Sequence, residues 1–232
     1  MDGVKPDVVV CWPRSHDYPL WRRFIRDNRW RFGRVFVVFT DHPGDDLSVW
    51  VRHDSGLDAT FCDVSVSGAV DWRDAAVNGV LSVSDSEWVW LTEQDFLIRE
   101  PKAFWQSVSV ARTQAIGFVE PDSGRWHPAC LFVRREAIDQ TSRYFGPDPV
   151  DHFYRFGREL ERITRLHPVQ GYEHLQGVSQ NHALIDRGET AGLWRMDRFR
   201  QYLTDCLAAD VPHHPGWAER ARRTIEGSAP LA

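Results

Sequence analysis

Glu87-Trp88-Val89-Trp90-Leu91-Thr92-Glu93-Gln94-Asp95-Phe96-Leu97-Ile98 is an apolar run that breaks at two acids and then turns apolar again. Trp88 to Leu91 show no polar alternation, the pattern of a strand buried on both faces, as in a parallel sheet. Side chains alternate along a strand, so Glu93 and Asp95 share a side and Gln94 takes the other. Two carboxylates at the end of a buried strand are costly unless a partner compensates them, and a divalent cation on a phosphorylated substrate is the usual one. A pair of solvated loop acids is the plainer alternative, and a short motif does not exclude it.

Upstream, Asp7 to Trp12 predicts a first buried strand, and Val35 to Phe39 a second that ends at Thr40-Asp41. Between them Asp17 can cap a helix with Tyr18, Trp21, Phe24 and Ile25 on one face, with Pro19 in its first turn. Strand, helix and strand at this spacing form a right-handed parallel βαβ unit. Ser48 to Arg52 reads as a short strand. Asp71 can cap a helix carrying Ala76, Val77, Val80 and Leu81. Pro101 to Ser107 reads as a short helix, and Ala115 to Val119 and Ala129 to Val133 as strands. Asp151 starts a helix with Phe153, Phe156, Leu160 and Ile163 on one face. His167 to Gly177 reads as loop and Ser179 to Ile185 as helix. Phe199, Tyr202, Leu203 and Cys206 mark an amphipathic helix near the C-terminus. Alternating strands and helices predict an α/β fold with a mostly parallel sheet flanked by helices and a helical C-terminal tail. Ligands of such sheets bind at the carboxyl ends of the strands, which brings Asp41 and Glu93 to Asp95 into one crevice.

Bulk properties narrow the class. The chain has 232 residues, 42% hydrophobic and 26% charged, which fits one globular domain. No stretch approaches the apolar length of a membrane span, and the first residues lack a signal-peptide pattern. Cys11, Cys62, Cys130 and Cys206 are far apart, so neither a zinc site nor a redox pair is signalled, and a cytoplasmic setting fits. A net charge of −5 does not favour polyanions. Yet Arg22, Arg23, Arg26, Arg29, Arg31 and Arg34 crowd one segment among Trp21, Phe24, Trp30 and Phe32. That segment reads either as a solvated helix face or as a phosphate-binding surface.

Dinucleotide, P-loop, nucleophile-elbow and zincin motifs are all absent. What remains resembles, in order along residues 7 to 186, a compact inverting GT-A glycosyltransferase of the family-two type. The resemblance runs through the Asp7 strand, Phe39-Thr40-Asp41, and Asp71-Trp72-Arg73-Asp74-Ala75-Ala76-Val77-Asn78. It continues through Glu93-Gln94-Asp95, Trp126-His127-Pro128-Ala129-Cys130-Leu131-Phe132-Val133-Arg134-Arg135-Glu136, and Phe145 to Asp151. Glu93 stands where the family has its first Asp, and Val150-Asp151 where it has Glu-Asp.

The resemblance implies one catalytic domain over 1–232. Residues 7–125 would bind the nucleotide-sugar, 126–190 would form the acceptor and catalytic half, and 191–232 the C-terminal helices. It implies transfer of a sugar from a nucleotide-sugar, a UDP-sugar first, to an acceptor hydroxyl, with Mn²⁺ or Mg²⁺. Asp95 would bind the metal, and Glu93 the ribose or the metal. His174 or His182 would add a ligand, each with a packed histidine as the plainer reading. Asp41 and Arg73 would contact the nucleotide and diphosphate, with a surface salt bridge as the alternative for Arg73. Asp151 would be the base, with a helix N-cap as its equal alternative. Trp126 and His127 would line the sugar or acceptor pocket, with core packing the plainer reading of Trp126. The acceptor stays open between a glycan or protein and a hydroxymethylated pyrimidine in DNA held through Arg22, Arg23, Arg26 and Arg29. A nucleotidyltransferase and a non-catalytic nucleotide- or sugar-binding module are the rival classes.

Overall fold

A computed structural model describes residues 5–11, 18–40, 56–64, 71–93, 96–119, 126–146, 153–174, 178–189, 192–193, 196–209 and 215–227. Valine and tryptophan runs without polar alternation form the middle of a sheet with seven strands among the described residues. Strand β1 (Asp7–Cys11) pairs in parallel with β2 (Val35–Thr40) on one side and β4 (Trp88–Thr92) on the other. All five residues of β4 are buried, as expected of a strand covered on both faces. Beyond β2 lies parallel β3 (Thr60–Val64). Beyond β4 lies antiparallel β7 (Trp126–Arg134), then antiparallel β6 (Ala115–Val119), then β8 (Leu166–Pro168), parallel to β6. The order is therefore β3-β2-β1-β4-β7-β6-β8, a mixed sheet that is mostly parallel. A separate two-stranded ribbon pairs β5 (Phe96–Ile98) with β9 (Tyr172–His174), antiparallel.

Helices cover both faces. On one face α1 (Tyr18–Asp27) and α3 (Pro101–Val110) bring Trp21, Ile25, Phe104 and Val108 against Val8, Val10, Trp90 and Phe132. The Trp90 and Phe132 rings stack at 4.8 Å, interplanar angle 4°. On the other face α2 (Trp72–Val83), α4 (Arg135–Asp139) and α5 (Tyr154–Ile163) bring Ala76, Val77, Leu81, Ile138, Phe156 and Leu160 against Val9, Leu91, Leu131 and Val133. A third cluster joins α6 (Val178–Asp186), α7 (Met196–Leu207) and α8 (Pro215–Glu226), with Leu20 of α1 packed against it.

The Asp71 cap is formed as expected: its carboxylate accepts from the backbone N–H of Arg73 at 2.9 Å and of Asp74 at 3.3 Å. Three expectations change. Thr60–Val64, at the edge of the sheet among the described residues, is a strand that the sequence pattern does not predict. The stretch from His167 to Gly177, expected as loop, contains β9 and most of β8. The helix expected from Asp151 starts at Tyr154, and the residue before it, Phe153, has a left-handed φ of +60° and no side-chain cap bond. The helices expected over 191–232 are α7 and α8, and Trp217, Ala218 and Ala221 of α8 are buried. The strand expected at Ser48 to Arg52 lies outside the described residues. Among the described residues, no helix is long and apolar enough to cross a membrane.

Candidate functional site

The carboxyl end of β4 is the meeting point. Glu93 follows its last residue directly, and Thr92 donates its hydroxyl to the Glu93 carbonyl at 2.8 Å. Because β7 is antiparallel to β4, with Thr92 opposite Cys130, the first residues of β7 lie beside that same end. The β5–β9 ribbon follows the 93–95 segment and sets His174 opposite Phe96.

These three placements bring Glu93, His127 and His174 together, with one ligand atom of each within 4.8 Å of the others. His174 Nε2 is 3.9 Å from a Glu93 carboxylate oxygen. The His127 and His174 rings are 4.0 Å apart between centroids, inclined at 37°. Phe118 stands edge-on to both rings at 6.3 Å and packs on Tyr172 at 4.7 Å. His174 is buried, whereas the Glu93 side chain is 31% exposed, so the cluster opens on the carboxylate side.

His127 reaches the cluster through an irregularity. Between β6 and β7 the register moves from Gly117 opposite Leu131 to Phe118 opposite His127. In a regular strand His127 would share a face with Leu131, four residues on. Instead it shares the face of Phe118, which belongs to the Trp90 and Phe132 side of the sheet. Such bulges re-aim side chains. Trp126, expected beside His127 in a pocket, packs against the cluster on the opposite face.

The other expected residues fall elsewhere. His182 is buried between Phe199, Tyr202 and Trp217, and its Nδ1 accepts from the Trp217 indole N–H at 3.3 Å. It is not a member of the Glu93 group, and its place is the packed-histidine alternative. Arg73 sits half-buried in the first turn of α2. Asp41, Asp95 and Asp151 lie outside the described residues.

The Asp71-to-Asn78 motif has a mechanical role. Asp74 accepts from the Phe145 N–H at 2.8 Å, and Asn78 donates to the Arg143 carbonyl at 3.1 Å. Helix α2 thus holds the chain just before residues 147–152. Arg135, in the Arg-Arg-Glu turn, donates to the carbonyls of Leu81 and Ser84 at the end of α2. The arginine-rich segment is largely spent on the fold. Arg22 is buried. Arg29 binds the Asp58 carboxylate at 2.8 Å and the Phe32 and Gly33 carbonyls. Arg31 lies between the Trp30 and Trp105 rings, and Arg34 pairs with Asp7 and Asp85. Arg22 and Arg29 are therefore not part of an open basic face, and Arg23 and Arg26 are its exposed members.

The donor chemistry fits a divalent metal ion. Two imidazoles and a carboxylate from three strand ends, half open, form the type of set that leaves positions for substrate. Cis donors on an octahedral ion with bonds of about 2.1 Å lie roughly 3 Å apart, so the His174–Glu93 pair would close by about 1 Å and the widest pair by up to about 2 Å around one.

No protein-family model and no curated protein sequence matches the chain. Solved structures do. The mannosyltransferase PcManGT of Pyrobaculum calidifontis, solved with GDP-Man and Mn²⁺, is 17% identical over 96% of this chain and 69% of its own. Its TM-score of 0.48 is too low for the likeness to carry weight. The S. aureus TarS fragment 1-349 is 12% identical over 95% of this chain and 69% of its own, with a TM-score of 0.53. The inositol-1-phosphate CTP transferase of T. maritima is 9% identical over 91% and 99%, with a TM-score of 0.54. At these identities the likeness is one of fold: the chain has a GT-A-like α/β fold, with a mostly parallel sheet flanked by helices.

Proposed function

We propose that the protein is a metal-assisted glycosyltransferase that moves a sugar from a nucleotide-sugar, a UDP-sugar first, to an acceptor hydroxyl with inversion. The observation that carries this reading is the gathering of Glu93, His127 and His174 at the carboxyl end of β4 in a GT-A-like sheet. Ligands of open α/β sheets bind at such ends.

In this reading the nucleotide lies over the ends of β1 and β2, with Asp41 toward the nucleoside and Arg73 toward the diphosphate. Glu93, His174 and Asp95 hold Mn²⁺ or Mg²⁺, which supplies positive charge where the diphosphate leaves. The acceptor oxygen attacks the anomeric carbon as the glycosyl–phosphate bond breaks, and its proton passes to the Asp151 carboxylate. The bonds of α2 to Arg143 and Phe145 support that assignment, because they tie this motif helix to the segment shortly before Asp151 in sequence. A glycan or protein is the preferred acceptor over DNA, since the arginine segment is mostly engaged within the protein and net charge is −5. Nucleotidyl transfer is the second reading, favoured by the fold shared with a CTP transferase.

Thermal shift with UDP, GDP and CTP, with and without Mn²⁺, tests the binding step. Mn²⁺ should enhance nucleoside-diphosphate binding in the wild type and lose that effect in Asp95→Ala. Asp151→Asn should keep donor binding and lose transfer. Metal-independent binding in a folded wild type would remove the metal reading. Release of pyrophosphate from a nucleoside triphosphate and a sugar phosphate would favour the second class.

A further inference from the structure

The sheet spends a register break to bring a second imidazole to the end of β4. Gly117 sits at that break, where a Cβ would lie 2.6 Å from Leu131 Cδ2 and 3.1 Å from the Cys130 carbonyl oxygen. The break turns His127 away from the face its strand parity dictates and sets its ring 4.0 Å from His174. Phe118 packs edge-on against both rings, and Tyr172 packs against Phe118, so the pair is walled by aromatic side chains.

We propose that His127 is itself a ligand, and that its two-imidazole site selects a borderline transition ion of the Mn²⁺, Co²⁺ or Zn²⁺ type over Mg²⁺ or Ca²⁺. This rests on the metal reading above and goes beyond it, because that reading treats Mn²⁺ and Mg²⁺ alike. Mg²⁺ and Ca²⁺ are hard ions that take oxygen donors, and Mg²⁺ gives up its water reluctantly. Imidazole nitrogen suits the first-row transition ions, whose affinities rise along the series to copper. With Glu93 as the one carboxylate of the described cluster, two of its three donors are nitrogens. A hard ion would gain little from them, whereas a transition ion would gain a bond from each.

The test needs no catalytic readout. Mn²⁺ is titrated into the protein with UDP present, following loss of the free-ion paramagnetic resonance signal. Electron spin-echo modulation then reports nitrogen bound to Mn²⁺. Competition with Mg²⁺, Ca²⁺ and Co²⁺ ranks the ions. The wild type should show nitrogen modulation, and Mg²⁺ should displace Mn²⁺ only at about hundredfold excess or more. His127→Asn should weaken Mn²⁺ by about tenfold or more and diminish the nitrogen signal, while Mg²⁺ affinity changes less than about twofold. If the variant folds poorly, two bound nitrogens in the wild type carry the test, because His174 alone supplies one. Mn²⁺ bound by one nitrogen rather than two, Mg²⁺ within about threefold of Mn²⁺, or a His127→Asn variant that binds like the wild type would overturn the selectivity while leaving the metal reading intact. No ion binding with or without UDP would overturn both.

Discussion

Replacing Gly117 with alanine should destabilise the protein and disturb the site together. The added methyl would lie 2.6 Å from Leu131 Cδ2, 3.0 Å from Trp126 Cε3 and 3.1 Å from the Cys130 carbonyl oxygen. Carbon atoms rest at about 3.5–4.0 Å, so the first contact is short by about an ångström. Leu131 is buried between sheet and helices, and the Cys130 oxygen moves only if β7 moves. Overpacking of this kind costs about 1–3 kcal/mol, and losing glycine's extra freedom in the unfolded chain returns about 0.4–1 kcal/mol. A net loss of roughly 1–2 kcal/mol corresponds to a fall in Tm of about 2–8 °C for a domain this size. Because the strain falls on the segment that turns His127 toward His174, Mn²⁺ affinity should fall as well, beyond what partial unfolding explains. Urea denaturation gives the first quantity, and Mn²⁺ titration of the fully folded variant gives the second. A variant as stable as the wild type would refute the packing argument. A destabilised variant with unchanged Mn²⁺ affinity would refute the claim that the break places His127.

Two further outcomes follow from buried and half-buried polar groups. Burial pushes the Glu159 carboxyl up, but the Ser142 N–H at 2.7 Å, the Ser142 hydroxyl at 2.9 Å and Arg155 hold it, on balance, below its usual 4.5. A lowered acid contributes stability above its unfolded pKa and loses it as pH falls through the folded one. Glu159→Gln should therefore cost about 1 kcal/mol near neutral pH, with the difference shrinking below pH 4.5 in urea melts; a gap constant down to strong acid would contradict the account. Burial pushes the Cys130 thiol up to about 12, against the weaker opposite effect of the Trp90 indole N–H donating to its sulfur at 3.3 Å. Thiol labelling of the native protein at pH 8 should leave Cys130 unmodified and reach it only on unfolding, and rapid native labelling at that position would show the burial to be wrong.

The central strands were legible because residues such as Val8 to Val10 and Trp88 to Leu91 face helices on both sides and carry no polar alternation. The Asp71 cap was legible because capping is local, settled by an acid and the two N–H groups after it. Strands β8 and β9 were not, because three residues hold no period. Leu-His-Pro and Tyr-Glu-His become strands only through partners about 50 and 76 residues earlier. Strand β3 has one neighbour among the described residues, and its Thr60 and Asp63 weaken the apolar signal. At the site, Glu93 and His174 were named from motif and position, while His127 was given to a neighbouring pocket. Its true company depends on a register break in β7 that alternation cannot foresee. His182 carries no local mark that separates a packed ring from a ligand; only its contact with Trp217 does.

The ribbon that carries His174 is tied to the far end of the chain. Glu173 is held by Arg99 at 2.9 Å and by Arg198 of α7 at 3.0 Å, and Arg99 reaches Asp205 of α7 at 3.3 Å. These ties give the order of synthesis a consequence. Glu93 leaves the ribosome roughly 110 residues before Asp205, an interval of about 6–22 s at ordinary translation rates. During that interval the central strands can already pair, while β9 emerges only about 30 residues before Asp205 and then waits for Arg198 and that acid. Nascent chains held at successive lengths should thus gain a protected sheet well before they gain a fixed His174.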